Sequence, residues 1–77
     1  MPRLSAVHWR VLDCIFRKSG FTMEREEGSH RLYVKPGVDR PVVIPKYGQV
    51  DRDIIMANMR TAGLTRERYF ELLAECR

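Results

Sequence analysis

The run Gly28-Ser29-His30-Arg31-Leu32-Tyr33-Val34-Lys35 sets one imidazole beside two cations and a phenol. An unperturbed imidazole titrates at about pH 6.5, so it can give or take a proton near neutrality. Arg31 and Lys35 can offset charge on phosphate oxygens. Together these groups suit cleavage of a phosphodiester without a metal. The run alone is weak ground, since Gly-Ser-His is short and a single His in a basic strand is more often a bystander.

The elements that must position these groups follow from spacing. Ser5 can cap a first helix over Ala6 to Lys18, with Val7, Val11, Cys14 and Ile15 on its apolar side and Leu12 and Phe16 beside them. Arg17 and Lys18 suit the negative end of the helix dipole, and Gly20 suits the left-handed stop. Trp9 is expected to pack, and His8 to lie on the surface. Phe21 to Glu27 alternates in part and, being charged, reads as an edge strand. Gly28 supplies a turn, and Ser29 to Lys35 forms a second strand. Pro36 to Arg40 is a hairpin loop, and Pro41 to Lys46 a short third strand. Asp51 caps a second helix over Arg52 to Ala62, which Gly63 ends. Thr65 caps a third over Arg66 to Glu75. Met56 and Met59 are expected as core filler.

The order helix, three strands, helix, helix predicts an α+β two-layer sandwich. Its antiparallel meander has one face under the helices and the other open to solvent or a ligand. The same opening order is found in the double-stranded RNA-binding domain. The 77 residues suffice for a single domain over 1–77. Strand alternation places His30 with Leu32 and Val34 on the core side, and Ser29, Arg31, Tyr33 and Lys35 on the other. Against a buried role, His30 opens its strand and can project beyond the covering helices.

Composition narrows the classes. Hydrophobic residues make up 44%, which fits a folded globular chain. No apolar run is long enough to span a bilayer, and the N-terminus lacks a signal-peptide core, so a cytoplasmic location is the expectation. The two cysteines, Cys14 and Cys76, fall in helical patterns without zinc-ligand spacing. They read as reduced thiols rather than a disulfide. No carboxylate cluster suggests magnesium, so no cofactor is expected. Net charge is +4 with a pI near 9.5, and from Gly28 to Val50 the only acid is Asp39. The sheet region should therefore meet an anionic partner.

One ordered set of residues is more specific. Gly20-Phe21, Gly28-Ser29-His30, Tyr33, Val43-Ile44-Pro45 with Gly48, Ala62-Gly63-Leu64-Thr65-Arg66-Glu67 and Phe70 together resemble the HicA family of bacterial toxin–antitoxin toxins. The resemblance implies an mRNA interferase of double-stranded RNA-binding-domain-like fold. It implies His30 as the catalytic residue and a cognate HicB antitoxin covering the active site. Many members carry a second His in a Pro-x-His-Gly loop. Here that place reads Pro45-Lys46-Tyr47-Gly48, so Tyr47 and Lys46 are the candidates for any role of that imidazole. The loop and the start of the second helix are also less basic than usual, with Asp51 and Asp53 there.

The expected activity is metal-free transesterification of mRNA by His30, with Tyr33, Tyr47 and Lys46 as candidates for the second proton transfer and Ser29, Arg31, Tyr33, Lys35, Lys46 and Tyr47 as candidate RNA contacts. Two other readings remain open on sequence. One is a non-catalytic RNA-binding module with a structural His30. The other is a protein-interaction domain for an acidic partner.

Overall fold

A computed structural model describes residues 3–77. Its elements are α1 (Trp9–Lys18), β1 (Thr22–Glu27), β2 (His30–Val34), β3 (Val42–Pro45), α2 (Arg52–Ala62) and α3 (Arg66–Cys76). The fold is the expected α+β arrangement, with one antiparallel sheet in the order β1-β2-β3. Gly28 turns β1 into β2 at φ +59°, a left-handed conformation that a Cβ would strain. Across the sheet, His30 faces Glu27 on β1 and Pro45 on β3, while Tyr33 faces Met23 and Val42. β1 slips register between Met23 and Arg25, a bulge that bends this charged edge.

The helices cover the sheet face that carries Tyr33, Val42 and Ile44, all fully buried. Leu12, Ile15 and Phe16 from α1, Ile55 and Met59 from α2, and Tyr69, Leu72 and Leu73 from α3 close the same core. The expected faces of β2 are thus exchanged. Tyr33 points to the helices with Arg31, while Leu32 and Val34 are half-buried on the open side with exposed His30. Alternation fixes which residues share a face but not which face is covered. Here α1 offers a carboxylate, Asp13, that accepts from both the Tyr33 hydroxyl and the Arg31 guanidinium under the helices.

Three further expectations are corrected. α1 does not start after Ser5. Residues 4–8 stay extended, Leu4 is buried, and Val7 bridges Val50 through N–H···O bonds of 3.2 and 2.7 Å. His8 is the N-cap instead, its Nδ1 accepting from the Arg10 N–H at 3.1 Å. Pairing with Val50 offers this segment backbone partners and burial that one more helical turn would not. Met56 is 38% exposed rather than core filler, because the buried stripe of α2 runs through Ile55 and Met59. Cys14 and Cys76 are joined in a disulfide, with Cα atoms 5.8 Å apart. α3 packs on α1, which brings together thiols separated by 62 positions.

The other helix ends fall where read, except that Asp51 occupies the N-cap of α2 without a side-chain capping bond. Gly63 stops α2 at φ +67°, and Thr65 Oγ1 accepts from the Arg68 N–H to cap α3. No helix among the described residues is long and apolar enough to cross a membrane.

Candidate active site at the His30 end of the sheet

His30 stands exposed at the first position of β2, on the open face. The end of β3 is tied to it through the backbone, since the Lys46 N–H donates to the Ser29 carbonyl at 2.6 Å. The chain then turns tightly, with the Tyr47 N–H on the Pro45 carbonyl at 2.8 Å. The Trp9 N–H at the head of α1 holds the Tyr47 carbonyl at 3.1 Å. These bonds bring the phenol ring of Tyr47, 46% exposed, to 6.4 Å from the His30 ring in an edge-on contact. An imidazole and a phenol therefore share one open corner, fixed by three elements.

A charged cluster lies beside it, over Trp9. The Trp9 ring has Arg31 at 5.1 Å, Arg10 at 5.4 Å and Lys46 at 5.6 Å from its centroid. Glu26 on β1 pairs with Lys46 at 3.2 Å and approaches Arg31 Nε at 3.2 Å, the latter without hydrogen-bond geometry. Asp13 on α1 pairs with Arg17 at 3.1 Å and Arg31 at 3.4 Å, and accepts from the Tyr33 hydroxyl. Two carboxylates thus balance the cations nearest His30. Burial, and then the hydrogen bond to Asp13, push the Tyr33 phenol well above its ordinary value, so it stays a neutral donor.

The candidates of the sequence reading separate into three places. His30, Tyr47 and Lys46 gather at the open corner, with Ser29 exposed in the preceding turn. Arg31 sits just inside, its side chain 18% exposed and paired to carboxylates. Tyr33 is in the core, where its ring is closed to a stacking base. Lys35 is at the far end of the strand and donates to the Ser19 carbonyl at 2.8 Å. That is about 17 Å along β2 from His30 at strand rise.

Sequence reasoning passed over Trp9, Glu26 and Asp13 as organisers of this corner. The i, i+4 pairing of Asp13 with Arg17 is legible in the chain; the reach of Glu26 across two strands is not. Among the described residues, no three His, Cys, Asp or Glu side chains gather in a group that could hold a metal ion.

Residues 9–64 match a family model described as the HicA toxin of bacterial toxin–antitoxin systems. The match takes in α1, the whole sheet and α2, and it ends before α3. A search of curated proteins finds no match.

Proposed function

The chain belongs to the HicA toxin family, the toxin half of a toxin–antitoxin pair, and from that premise we propose that it is a metal-independent endoribonuclease acting on mRNA through His30. The observation that carries this reading is the exposed imidazole of His30 beside the Tyr47 phenol, at a strand end backed by Arg31 and Lys46. A buried structural role for His30 does not fit its exposure.

In this mechanism a base takes the proton of a ribose 2′-hydroxyl. That oxygen bonds to the adjacent phosphorus, the bond from phosphorus to the 5′ oxygen breaks, and an acid protonates the departing oxygen. The products are a 2′,3′-cyclic phosphate and a 5′-hydroxyl. His30 supplies one of the two proton transfers, and Tyr47 or Lys46 is the candidate for the other. Lys46 and Arg31 offset the charge that grows on the phosphoryl oxygens. The antitoxin partner would act by covering the face that carries His30.

The test is cleavage of a labelled mRNA in EDTA. Wild-type protein should cut it and leave cyclic phosphate ends. His30→Ala should lose roughly 10²–10⁴-fold in rate with an unchanged melting temperature, because the side chain is exposed. Wild-type rates in the variant would remove His30 from the mechanism, and activity restored only by magnesium would remove the metal-free route. The same variant holding labelled RNA should release it when antitoxin is added; a ternary complex would place inhibition elsewhere.

A further inference from the structure

We propose that a groove at the end of the sheet opposite His30 binds the phosphodiester backbone of single-stranded RNA, gripping the substrate away from the point of cleavage. The proposal rests on RNA being the substrate. The larger part of the groove, about 720 Å³, lies between the β2–β3 loop at Gly37–Arg40 and the last turns of α2. A smaller part, about 250 Å³, lies among Lys18, Lys35 and Arg68 over Phe21. Both are lined by Ala62 and Gly63, so the two parts adjoin.

The distribution of uncommitted charge points to a polyanion. Among the described residues, the side chains of Arg40 and Arg60 make no ion pair or hydrogen bond, and both line the larger part. Asp39 is the one acid on that wall. In the smaller part Lys35 donates to a backbone carbonyl and lies over the Phe21 ring at 5.8 Å, while Lys18 and Arg68 pair with exposed Glu75 and Glu71 at 3.4 and 3.0 Å. At the His30 corner Arg31 and Lys46 pair with Asp13 and Glu26, while Arg10 lies over the Trp9 ring. Two guanidinium groups without a carboxylate partner among the described residues therefore stand on the wall of the larger part, at the end of the sheet away from the catalytic corner.

Shape and lining select backbone over bases or protein. The guanidinium fork matches two phosphate oxygens at once. Gly37, Ala57, Ala62 and Gly63 leave the walls low, and a Cβ added at Gly37 or Gly63 would meet nothing within 4 Å. The larger part has no aromatic ring on which a base can stack. It also has no large apolar pocket of the kind that anchors a protein partner, as Val38 is half-buried. Attraction there is electrostatic and indifferent to sequence. An RNA long enough to reach both ends would gain through effective concentration; a dinucleotide would not.

The test is fluorescence anisotropy with a 2′-O-methyl oligonucleotide, which binds without being cleaved, over a salt series. Arg40→Ala with Arg60→Ala should weaken binding at low salt by about tenfold and reduce the salt slope by about 1.4, or about 0.7 per lost cation on a single strand. The pair Arg40→Lys with Arg60→Lys keeps the charge and should keep the slope. An unchanged slope in the Ala pair, or no binding by wild type, overturns the groove. So does loss of binding to polyglutamate while RNA binding persists, which would assign the groove to an acidic protein. Because the probe is not cleaved, the two readings fail separately. A reduced slope with no cleavage of unmodified RNA by wild type would sink the nuclease and leave the groove, and normal cleavage with an unchanged slope would do the reverse.

Discussion

Tyr33 shows how one buried polar atom shapes this chain. Its hydroxyl lies under α1 and needs a partner, and Asp13 supplies a charged one. Burial is the larger cause of its raised pKa and the Asp13 bond the next. A phenol raised in the fold stays neutral where the unfolded chain ionises. Stability is then full below the unfolded value of about 10 and is lost as pH climbs from there toward the folded value. Tyr69, also raised by burial, adds to the same limb. The unfolding free energy from urea titrations should therefore fall above about pH 10, by up to about 1.4 kcal/mol per pH unit for each such group. Tyr33→Phe should cost about 1–3 kcal/mol near pH 8, for the lost bond to a carboxylate, and should make the alkaline limb shallower. An alkaline limb as steep as that of wild type would show that Tyr33 does not titrate with folding.

Among the elements, the sheet has two edges and handles them differently. β1 carries Glu24, Arg25, Glu26 and Glu27 and a bulge, all of which discourage pairing with another chain. β3 is apolar at Val42, Val43 and Ile44 and needs cover. α2 provides it through Asn58, buried and donating from Nδ2 to the Val43 carbonyl at 3.1 Å. Asn58→Ala removes that donor while Val43 is still 36% exposed, so water can reach part of the freed carbonyl. The expected cost is about 1 kcal/mol, read as a lower urea midpoint at unchanged m-value. Equal midpoints would mean the bond contributes nothing net.

At the scale of the molecule, α3 lies beyond the residues that match the family model, yet it supplies Tyr69, Leu72 and Leu73 to the core. The Cys14–Cys76 bond ties it to α1. A bridge closing a separation of 62 residues removes chain entropy worth roughly 4 kcal/mol from the unfolded state. For a domain this small that corresponds to a melting temperature lower by roughly 15–30 °C after reduction. Dithiothreitol and the Cys14→Ser, Cys76→Ser pair should give the same shift. Identical melting of oxidised and reduced protein would show that packing of α3 alone holds it.

What the chain determined by itself is local. Asp51, Gly63 and Thr65 mark helix ends through their own backbone preferences, and Gly28 marks the turn before His30. The alternating strands, their order and the family are legible in the same way, because each signal lies within a few residues or in an ordered run. Long-range pairing decided the rest. A period of two says that His30 and Tyr33 lie on opposite faces but not which is covered; the helices pack on the Tyr33 side, where Asp13 meets its hydroxyl. Ser5 lost the helix start to His8 because Val7 found Val50 across the chain. The cysteines met because α3 folds back on α1. The cations around His30 looked free in sequence, and they are matched by Glu26 and Asp13 from neighbouring elements. Charge and contact between distant positions depend on closing large loops, and no residue's own propensity records that closure.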